Sequence, residues 1–500
     1  MKRRMTMYKH LQNGSDIRGV AIKTPNSEVT LTKEVVKSIG AALVKHLANK
    51  LYKTDLRIAV GHDSRLSAHD MFVSLASGIE FMGAKAVYTG LSSTPAMFFS
   101  TILEAHNYDA GVIITASHLP YERNGFKFFT KSGGFEKDDI STILKYAEEF
   151  DGASINTKPI DDFEHIDIMH DYADTLRNII IKKASLGDKP LNGLHIIIDA
   201  GNGAGGYFEK LVLQPLGAKT EGSVFTEPDG RFPNHAPNPE DSKAMHFFSE
   251  AVVKSGADLG IIFDTDVDRA AVVLNNGLEI NRNRLIALMT AILTQTEKDA
   301  VIVTDSITST GLTKFINSLG ATHIRFKRGY KNVINEAIRR TNAGENACLA
   351  IETSGHGAIR ENYYLDDGAY MACLIVAELA KRKKQGKTLE SLIEDLEEPA
   401  EAKEIRIKIK EADFKAYGQR VLDTLSENVE AWAGYSKEKE NYEGVRVNAD
   451  KANGDGWFLL RLSLHDPVMP LNIESNSVGG VEKIEKRIID FLKGFEGLEL

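Results

Sequence analysis

The strongest constraint on the fold is an alternation of short apolar runs with longer segments of helical periodicity. Residues 56–60 (LRIAV) and 109–115 (DAGVIIT) have the length and composition of buried strands. Between them, residues 68–84 show the period of an amphipathic helix that ends at a glycine. Strands and helices that alternate in this way are typical of α/β units on largely parallel sheets. We therefore predict an α/β fold.

The alternation recurs twice further along the chain. A second unit opens with a strand in residues 194–205, crosses a turn-rich stretch and reaches another strand at residues 258–264. A third unit has strands at residues 300–305 and 347–352, followed by a helix that begins near Asp367. The three units are candidates for internal repeats, although no shared sequence period proves it.

The pattern changes after a charged segment at residues 394–404, which we interpret as a linker. Residues 405–410 (IRIKIK) alternate as a half-buried strand, and a terminal helix is predicted at residues 481–495. Because 500 residues are too many for one core, we predict three similar α/β domains with mixed, largely parallel sheets plus a smaller C-terminal α+β domain around a central cleft. The predicted domains are residues 1–157, 158–277, 278–396 and 397–500.

Charge and cysteine content exclude several classes of protein. The net charge of −9 argues against a nucleic-acid or membrane-surface protein, which would carry a basic excess. The basic N-terminus is followed by no apolar segment of a signal peptide, and no apolar run approaches the ~18 residues of a membrane span. Cys348 and Cys373 form neither a disulfide framework nor a thiolate metal site. We predict a cytoplasmic protein with a small-molecule partner, no nucleic acid and no membrane.

Three predicted strands, one in each α/β unit, end in polar loops. They run into Ser117 and His118, into DTDVDR (264–269), and into ETSGH (352–356). Ligands of open α/β sheets collect outside the carboxyl ends of the strands. We therefore expect these loops to face one cleft.

The DTDVDR loop contains the sharpest local signal. Asp264, Asp266 and Asp268 follow a buried strand and place three carboxylates close together, which is unfavourable without a cation. Hard oxygen ligands in a small cage suit Mg²⁺. A solvated acidic turn or a Ca²⁺ loop is the alternative, but no downstream glutamate completes an EF-hand.

The hydroxyl of Ser117 has several interpretations. It can cap a turn, and it lacks the flanking glycines of a hydrolase nucleophile elbow. Beside Mg²⁺ it can also carry a phosphoryl group, because the metal neutralises charge during transfer. Arg18, Lys127 and Arg269 are then the candidate cations for the phosphate.

Taken together, these segments resemble the α-D-phosphohexomutase family, which includes phosphoglucomutases, phosphomannomutases and phosphoglucosamine mutases. Five short motifs occur in the family's order, and that order makes the resemblance specific. They are GSDIRG (14–19), VGHDSRLSA (60–68), TASHLPYERNGFK (115–127), DTDVDR (264–269) and ETSGH (352–356).

The resemblance implies a role for each site residue. Ser117 is the phosphoserine and also a ligand of Mg²⁺, together with Asp264, Asp266 and Asp268. Proton transfer or its electrostatic support falls to the basic residues around it, Arg18, His118, Lys127 and His356, and the identity of the general base stays open. Substrate contacts fall to Arg269, Gly329, Lys331, Glu352, Ser354, Arg461 and Ser463.

The chain also departs from the family pattern. Leu119 replaces an asparagine, and Thr265 and Val267 replace two loop glycines, whose conformational freedom the family backbone can use. Where the family has the phosphate-binding sequence RPSGTEP, this chain has RLSLHDP (461–467). NSVGG (476–480), before the last helix, is an alternative source of N–H donors for an anion.

The resemblance implies an intramolecular phosphotransferase that interconverts hexose 1-phosphate and hexose 6-phosphate. Glucose or mannose is the expected sugar, and a bisphosphorylated sugar is the expected intermediate. A phosphoglucosamine mutase is one alternative, although that enzyme usually carries glutamine where Thr353 stands. The other is a non-catalytic sugar-phosphate-binding regulatory protein. We expect a monomer or homodimer.

Overall fold

The computed structural model describes residues 7–463 and 466–500. Residues 1–6, in the basic N-terminal segment, and Leu464 and His465, two of the departures in RLSLHDP, lie outside the described residues. The chain divides into two compact units. Unit 1 comprises Met1–Leu285 and Ser354–Ser391, and unit 2 comprises Ile286–Thr353 and Leu392–Leu500.

Unit 1 begins with an α/β domain on a mixed sheet. Its strands are β1 Gln12–Asn13, β2 Asp16–Val20, β3 Arg57–His62, β4 Lys85–Leu91, β5 Ala110–Ile114, β6 Arg123–Thr130, β7 Gly133–Gly134 and β8 Glu164–His165. Its helices are α1 Lys33–Leu51, α2 Ala68–Phe81, α3 Thr94–Phe99, α4 Lys137–Ala147 and α5 Met169–Ala184. The strand order is β1-β2-β6-β5-β3-β4-β8, with β5, β3, β4 and β8 parallel to one another and β6 antiparallel to β5.

Helices α1 and α2 pack backbone against backbone through two glycines. A Cβ atom on Gly40 would lie 2.2 Å from the carbonyl oxygen of Leu75, and one on Gly78 would lie 2.1 Å from the carbonyl oxygen of Lys37. Such distances are far inside van der Waals contact, so only glycine allows this approach. The pair covers one face of a continuous apolar core that contains Ile39, Leu75 and the strand residue Val60.

We expect Gly78→Ala to destabilise unit 1 by about 1–3 kcal/mol or more, because the added methyl group overpacks a site where backbone must move. Urea unfolding followed by circular dichroism measures the change. Gly494→Ala is the matched control, since its Cβ would meet only the carbonyl oxygen of Phe491 at 3.4 Å. Equal midpoints for the two variants would contradict the close packing.

The second part of unit 1 builds a smaller mixed sheet. Its strands are β9 Ile196–Asp199, β10 Leu259–Phe263, β11 Ala270–Leu274 and β12 Glu279–Ile280, in the order β12-β11-β10-β9, with α6 Ser242–Ser255 packed on it. Strand β10 is parallel to β9 and antiparallel to β11. All five residues of β10 are buried, so the strand delivers the DTDVDR loop from the middle of the sheet.

The α/β part of unit 2 contains three parallel strands. Helix α7, Arg282–Leu293, belongs to unit 2 from Ile286 onward. The elements that follow are β13 Ala300–Thr304, α8 Thr310–Ser318, β14 Thr322–Arg325, α9 Tyr330–Asn342 and β15 Asn346–Ile351. Strand β13 lies between β14 and β15. The third predicted α/β unit is thus present.

The chain then returns to unit 1 for one segment. It forms the antiparallel pair β16 Gly357–Ile359 and β17 Leu365–Asp366, followed by α10 Gly368–Lys384. The carboxylate of Asp367 accepts from the backbone N–H of Tyr370 and so caps α10. The helix predicted near Asp367 therefore begins where its capping residue stands.

The remainder of unit 2 is an antiparallel α+β domain. Its elements are β18 Glu401–Ile409, α11 Phe414–Asn428, β19 Tyr435–Lys437, β20 Val445–Ala449, β21 Gly456–Leu460, β22 Val468–Ser475, α12 Gly480–Leu492 and β23 Leu498–Glu499. The predicted linker at residues 394–404 was wrong at its end, because Glu401–Glu404 already belong to β18 and pair with β22. Three of these four residues are charged, and the side chains lie mostly in solvent.

The fold class is therefore confirmed, with mixed sheets in three α/β parts and a further antiparallel sheet. The four domain boundaries remain a prediction. In the described part of the chain, no helix is both long enough and apolar enough to cross a membrane.

Candidate active site

Ser117 lies in a loop that follows the buried strand β5. Its backbone has φ of 52°, in the left-handed region that non-glycine residues rarely adopt. The hydroxyl of Thr115 accepts a hydrogen bond from the backbone N–H of Ser117 at 2.9 Å and holds this turn. The Ser117 hydroxyl donates to Oδ2 of Asp264 at 3.0 Å. The structure thus brings together two loops that are far apart in sequence.

The DTDVDR loop adopts its shape in spite of the missing glycines. Val267 has φ of 66° and is fully buried, although a β-branched residue disfavours the left-handed region. Hydrogen bonds fix it, since Gly368 donates to the Val267 carbonyl at 3.1 Å. The strain is on the order of 1–3 kcal/mol and is borne by the surrounding packing. Thr265 is outside the positive-φ region, so only one replaced glycine stood at a demanding position.

Two buried cations neutralise much of the charge on the three aspartates. The Lys127 ammonium, on β6, forms ion pairs with Asp266 at 3.0 Å and with Asp268 at a short distance. The Arg269 guanidinium donates to Oδ2 of Asp264 at 3.0 Å and to the Ser117 hydroxyl oxygen at 3.2 Å. Three carboxylates against two cations leave one net negative charge.

The pKa values of Asp264 and Asp268 are shifted in opposite directions. Burial and the neighbouring charge of Asp268 raise the pKa of Asp264 well above its usual range. Burial also acts to raise the pKa of Asp268, but Lys127 and Arg269 outweigh it, and that pKa lies below the usual value. Negative charge at Asp264, beside the Ser117 hydroxyl, is therefore less well compensated than negative charge at Asp268.

Two histidines flank the aspartates and are uncharged. Burial, together with the positive charges of Arg269 and Arg18, lowers the pKa of His118 to about 3. Nδ1 of His118 accepts from Arg269 at 2.7 Å, which places its proton on Nε2. Burial, with Arg269 and Lys127, also holds the pKa of His356 well below its usual value, and Nε2 of His356 lies 3.8 Å from Oδ1 of Asp268.

The oxygens of the three aspartates fit a hard divalent cation. Asp264, Asp266 and Asp268 each offer one carboxylate oxygen, and these oxygens lie within 4.8 Å of one another. Oδ1 of Asp266 and Oδ1 of Asp268 are buried without a hydrogen-bond partner, which is unfavourable unless a cation binds them. The donor set contains only oxygen, as Mg²⁺ prefers. These residues can hold a metal ion.

Comparison with known protein families decides the assignment. Three models, described as phosphoglucomutase/phosphomannomutase alpha/beta/alpha domains I, II and III, match residues 9–151, 170–277 and 281–399. Together they cover well over half of the chain. The chain belongs to the phosphoglucomutase/phosphomannomutase family. It is therefore a mutase, and the recognition of the α-D-phosphohexomutase motifs in the sequence is confirmed.

Individual relatives of the mutase match along nearly the whole chain. A phosphoglucomutase of Neisseria meningitidis serogroup B is 30% identical over 473 residues, 94% of each chain. A phosphoglucomutase/phosphomannomutase of Thermococcus kodakarensis is 30% identical over 92% of this chain and 93% of its own length. The crystal structure of a phosphoglucomutase/phosphomannomutase family protein from Burkholderia thailandensis superposes with a TM-score of 0.77, at 26% identity and 96% coverage of each chain.

Within unit 1 of the mutase, the predicted catalytic residues lie together. Arg18 donates to the carbonyl of Ala116 at 3.3 Å, directly before Ser117, and pairs with Asp16 at 2.8 Å. The hydroxyl of Ser354 lies 2.8 Å from Nδ1 of His356. His356 is also bridged to Arg269 through the backbone. The predicted metal and catalytic residues thus form one cluster in this unit.

The remaining predicted substrate residues belong to unit 2 of the mutase. Glu352 accepts from the backbone N–H of Gly329 at 2.6 Å, and Lys331 stands in the first turn of α9. Thr353 is buried, and its hydroxyl donates to Asp305 at 2.7 Å. The position that usually holds glutamine in a phosphoglucosamine mutase therefore has a structural contact here.

The C-terminal phosphate residues also lie in unit 2. Arg461 and Ser463 follow β21, and their backbone N–H groups donate to the carbonyls of Pro470 and Val468 in the adjacent strand β22 at 3.1 and 2.9 Å. The alternative anion site at NSVGG stays a prediction, and part of its surroundings already binds a carboxylate of the chain. Gly479 and Val481 donate to the carboxylate of Glu401 at 2.7 and 3.1 Å.

Sequence reasoning assigned no role to Arg65, although it lies in the quoted VGHDSRLSA motif. Its buried guanidinium donates to four carbonyls of the active-serine loop, those of Ser117, Leu119, Pro120 and Arg123. It also pairs with the buried Asp63 at 3.2 Å. Since the Leu119 position contributes its carbonyl to Arg65, the loop keeps this contact without the family's asparagine. Arg65 is a positioning residue for Ser117.

We expect Arg65→Lys to lower kcat at least about tenfold with a smaller change in KM, because one ammonium cannot reach four carbonyls in the fixed geometry of a guanidinium. The phosphorylated fraction of Ser117 should fall with it. Steady-state kinetics and intact-mass spectrometry measure both quantities. Arg57→Lys, at a half-exposed side chain of the same domain, is the control and should resemble the wild type. A change confined to thermal stability would contradict the positioning role.

Proposed function

We propose that this mutase interconverts the 1-phosphate and 6-phosphate of glucose, mannose or both, with Ser117 as the phosphoryl carrier. The observation that carries the proposal is the position of the Ser117 hydroxyl, 3.0 Å from Asp264 and 3.2 Å from Arg269. A hydroxyl held between a carboxylate and a guanidinium has an acceptor for its proton and a cation for an incoming phosphoryl group. The named relatives support the choice of sugars.

The proposed reaction has two transfers. In the first, the bond between phosphorus and Oγ of phosphorylated Ser117 breaks and a bond from phosphorus to the free hydroxyl oxygen of the hexose phosphate forms. The hydroxyl proton passes to a proton acceptor of the site, and Oγ of Ser117 takes up a proton. In the second, the bond between phosphorus and the sugar oxygen at the other end of the bisphosphate breaks, that phosphoryl group returns to Oγ of Ser117, Oγ gives up its proton, and the sugar oxygen takes one up. Each turnover thus restores the phosphoserine.

The surrounding side chains supply charge and proton acceptors. Arg269 donates to the Ser117 hydroxyl oxygen and Lys127 pairs with Asp266 and Asp268, so both side chains stand close enough to offset the charge of a phosphoryl group on Ser117. The imidazoles of His118 and His356 are uncharged. Because Nδ1 of His118 already accepts from Arg269, the proton acceptor that the geometry supports is the Asp264 carboxylate, which accepts from the Ser117 hydroxyl. Arg18 fixes the loop through the Ala116 carbonyl and adds positive charge.

We further propose Mg²⁺ as the cofactor, held by Asp264, Asp266, Asp268 and Oγ of Ser117. When bound, Mg²⁺ neutralises the charge that develops on the phosphoryl oxygens. In unit 1, we propose that Ser354 contacts the sugar. In unit 2, we propose that Glu352 accepts hydrogen bonds from sugar hydroxyls, and that Arg461 and Ser463 bind the phosphate that does not react. Gly329 and Lys331 stand at the start of α9 for the same substrate.

A coupled assay on the 1-phosphates of glucose, mannose and glucosamine, with one preparation, tests the proposal. We expect turnover with glucose or mannose that depends on Mg²⁺. Turnover with glucosamine 1-phosphate alone would favour the phosphoglucosamine mutase. Binding of all three sugar 1-phosphates without turnover would favour a regulatory protein. Such a protein would not need the buried charged side chains around Ser117.

A further inference from the structure

A carboxylate of the C-terminal domain occupies anion-binding donors in the α/β part of unit 2. Glu443 lies in the loop of residues 438–444, between β19 and β20. Its Oε2 accepts from the backbone N–H of Arg328 at 3.1 Å and from the hydroxyl of Ser306. A hydroxyl and a backbone N–H group, here of the residue that precedes the N-cap Gly329 of α9, are donors that phosphate oxygens also use.

The same loop is held firmly against its neighbours. The ring of Tyr442 packs on Phe326 with centroids 5.1 Å apart. On β20, Arg446 donates to the carbonyls of Ser306 and Thr308 at 2.9 and 3.0 Å and stacks on Trp457 at 3.6 Å. Glu443 is therefore placed by a built interface and not by a loose side chain.

This interface brings Glu443 next to Arg461. A Cβ atom on Gly444 would lie 2.2 Å from the carbonyl oxygen of Leu460 and 2.9 Å from Cα of Arg461, so the two backbones are in direct contact. Electrostatics agree with this placement. Burial lowers the pKa of Arg461, the charge of Glu443 acts in the opposite direction, and the charge of Arg328 acts with burial. One carboxylate and two guanidiniums thus share a small region.

A fixed negative charge beside a phosphate-binding arginine opposes the binding of phosphate. The carboxylate repels the phosphate and also occupies donors that the phosphate would use. In a reaction whose bisphosphate must release one end and bind by the other, a phosphate site that binds too tightly slows the exchange of ends. Uniformly tight binding also adds nothing to the chemical step.

We propose that Glu443 is a tethered anion that competes with the substrate phosphate at Arg461, and that it sets how tightly unit 2 binds phosphate. The proposal rests on the proposed role of Arg461 as the phosphate cation. It adds a residue that lies outside every sequence motif of the site. The ligand with which Glu443 competes is a phosphate dianion, either free or attached to a sugar.

Inorganic phosphate and glucose 1-phosphate, titrated by calorimetry into the Ser117→Ala background, test the proposal without turnover. We expect Glu443→Gln to bind inorganic phosphate about tenfold tighter, since the amide keeps the shape and an acceptor oxygen but loses the charge. The gain should shrink at high salt. Glu440→Gln, an exposed residue of the same loop, makes the same charge change and should have no effect. With Ser117 intact, Glu443→Gln should lower both KM and kcat.

Two further variants separate the possible failures. Tyr442→Ala loosens the loop without a charge change, so equal tightening by this variant would overturn the competition and assign the effect to loop release. Arg461→Ala should weaken phosphate binding at least about tenfold. Suppose that Arg461→Ala weakens phosphate binding as expected, but Glu443→Gln binds phosphate no more tightly than the control Glu440→Gln. Then only the inference about Glu443 fails. If Arg461→Ala binds phosphate normally, the proposed phosphate site itself is wrong.

Discussion

Ser117→Ala is expected to reduce turnover at least about 10³-fold, because the covalent route through a phosphoserine is lost while the charged surroundings remain. The wild type should carry one phosphoryl group on Ser117, detectable in the intact mass and assigned by peptide mass spectrometry. The variant should lack it. The substitution removes one hydroxyl whose partners are the side chains of Asp264, Arg269 and His118, so the fold should persist.

The control for this experiment is Ser132→Ala, at an exposed serine of the same domain. It should retain both the phosphoryl group and the activity. Circular dichroism of the Ser117 variant checks that it is folded. Activity retained in Ser117→Ala, or a phosphoryl group found on another residue, would overturn the proposed carrier.

Asp266→Asn is expected to weaken Mg²⁺ binding and lower activity by about 10²-fold or more, because an anionic ligand is replaced by a neutral one. Oδ1 of Asp266 is buried without a hydrogen-bond partner, and Oδ2 accepts from Thr94 and Lys127. The amide can preserve only part of this set, since an NH₂ group cannot accept. Calorimetric titration of Mg²⁺ measures the affinity independently of activity.

Chelation provides a second measurement for the same prediction. The wild type should lose activity in excess EDTA and regain it when Mg²⁺ is restored. Asp161→Asn, at an exposed residue of unit 1, should bind Mg²⁺ as the wild type does. Turnover unaffected by EDTA, or an unchanged Mg²⁺ affinity in Asp266→Asn, would reject the metal assignment.

Much of the site could be predicted from the sequence because its residues stand at strand ends. A short apolar run predicts a buried strand, and a polar residue that follows such a run lies where that strand ends. Ser117 after β5 and the aspartates after β10 were located by this signal. The order of five short motifs then indicated the family, which the family models confirm.

Strands made of charged residues were harder to predict from the sequence pattern. Glu401–Glu404 looked like a linker since three of its four residues are charged and the fourth is a small alanine, yet backbone pairing with β22 extends β18 through them. Backbone hydrogen bonds do not depend on side-chain polarity, so a charged, exposed strand leaves little trace in the sequence. The N–H groups before α12 are another example, because their partner, Glu401, is remote in the chain.

The sequence by itself determined the alternating α/β units, the three carboxylates after a buried strand and the serine that faces them. Only the tertiary structure decided that Arg65 would hold the carbonyls of the Ser117 loop and that Lys127 would pair with Asp266. It also decided that Val267 would adopt a positive φ without glycine. The physical reason is range: periodicity and turn chemistry act over a few residues. These contacts join residues 52 and 139 positions apart, and packing alone brings them within hydrogen-bond distance.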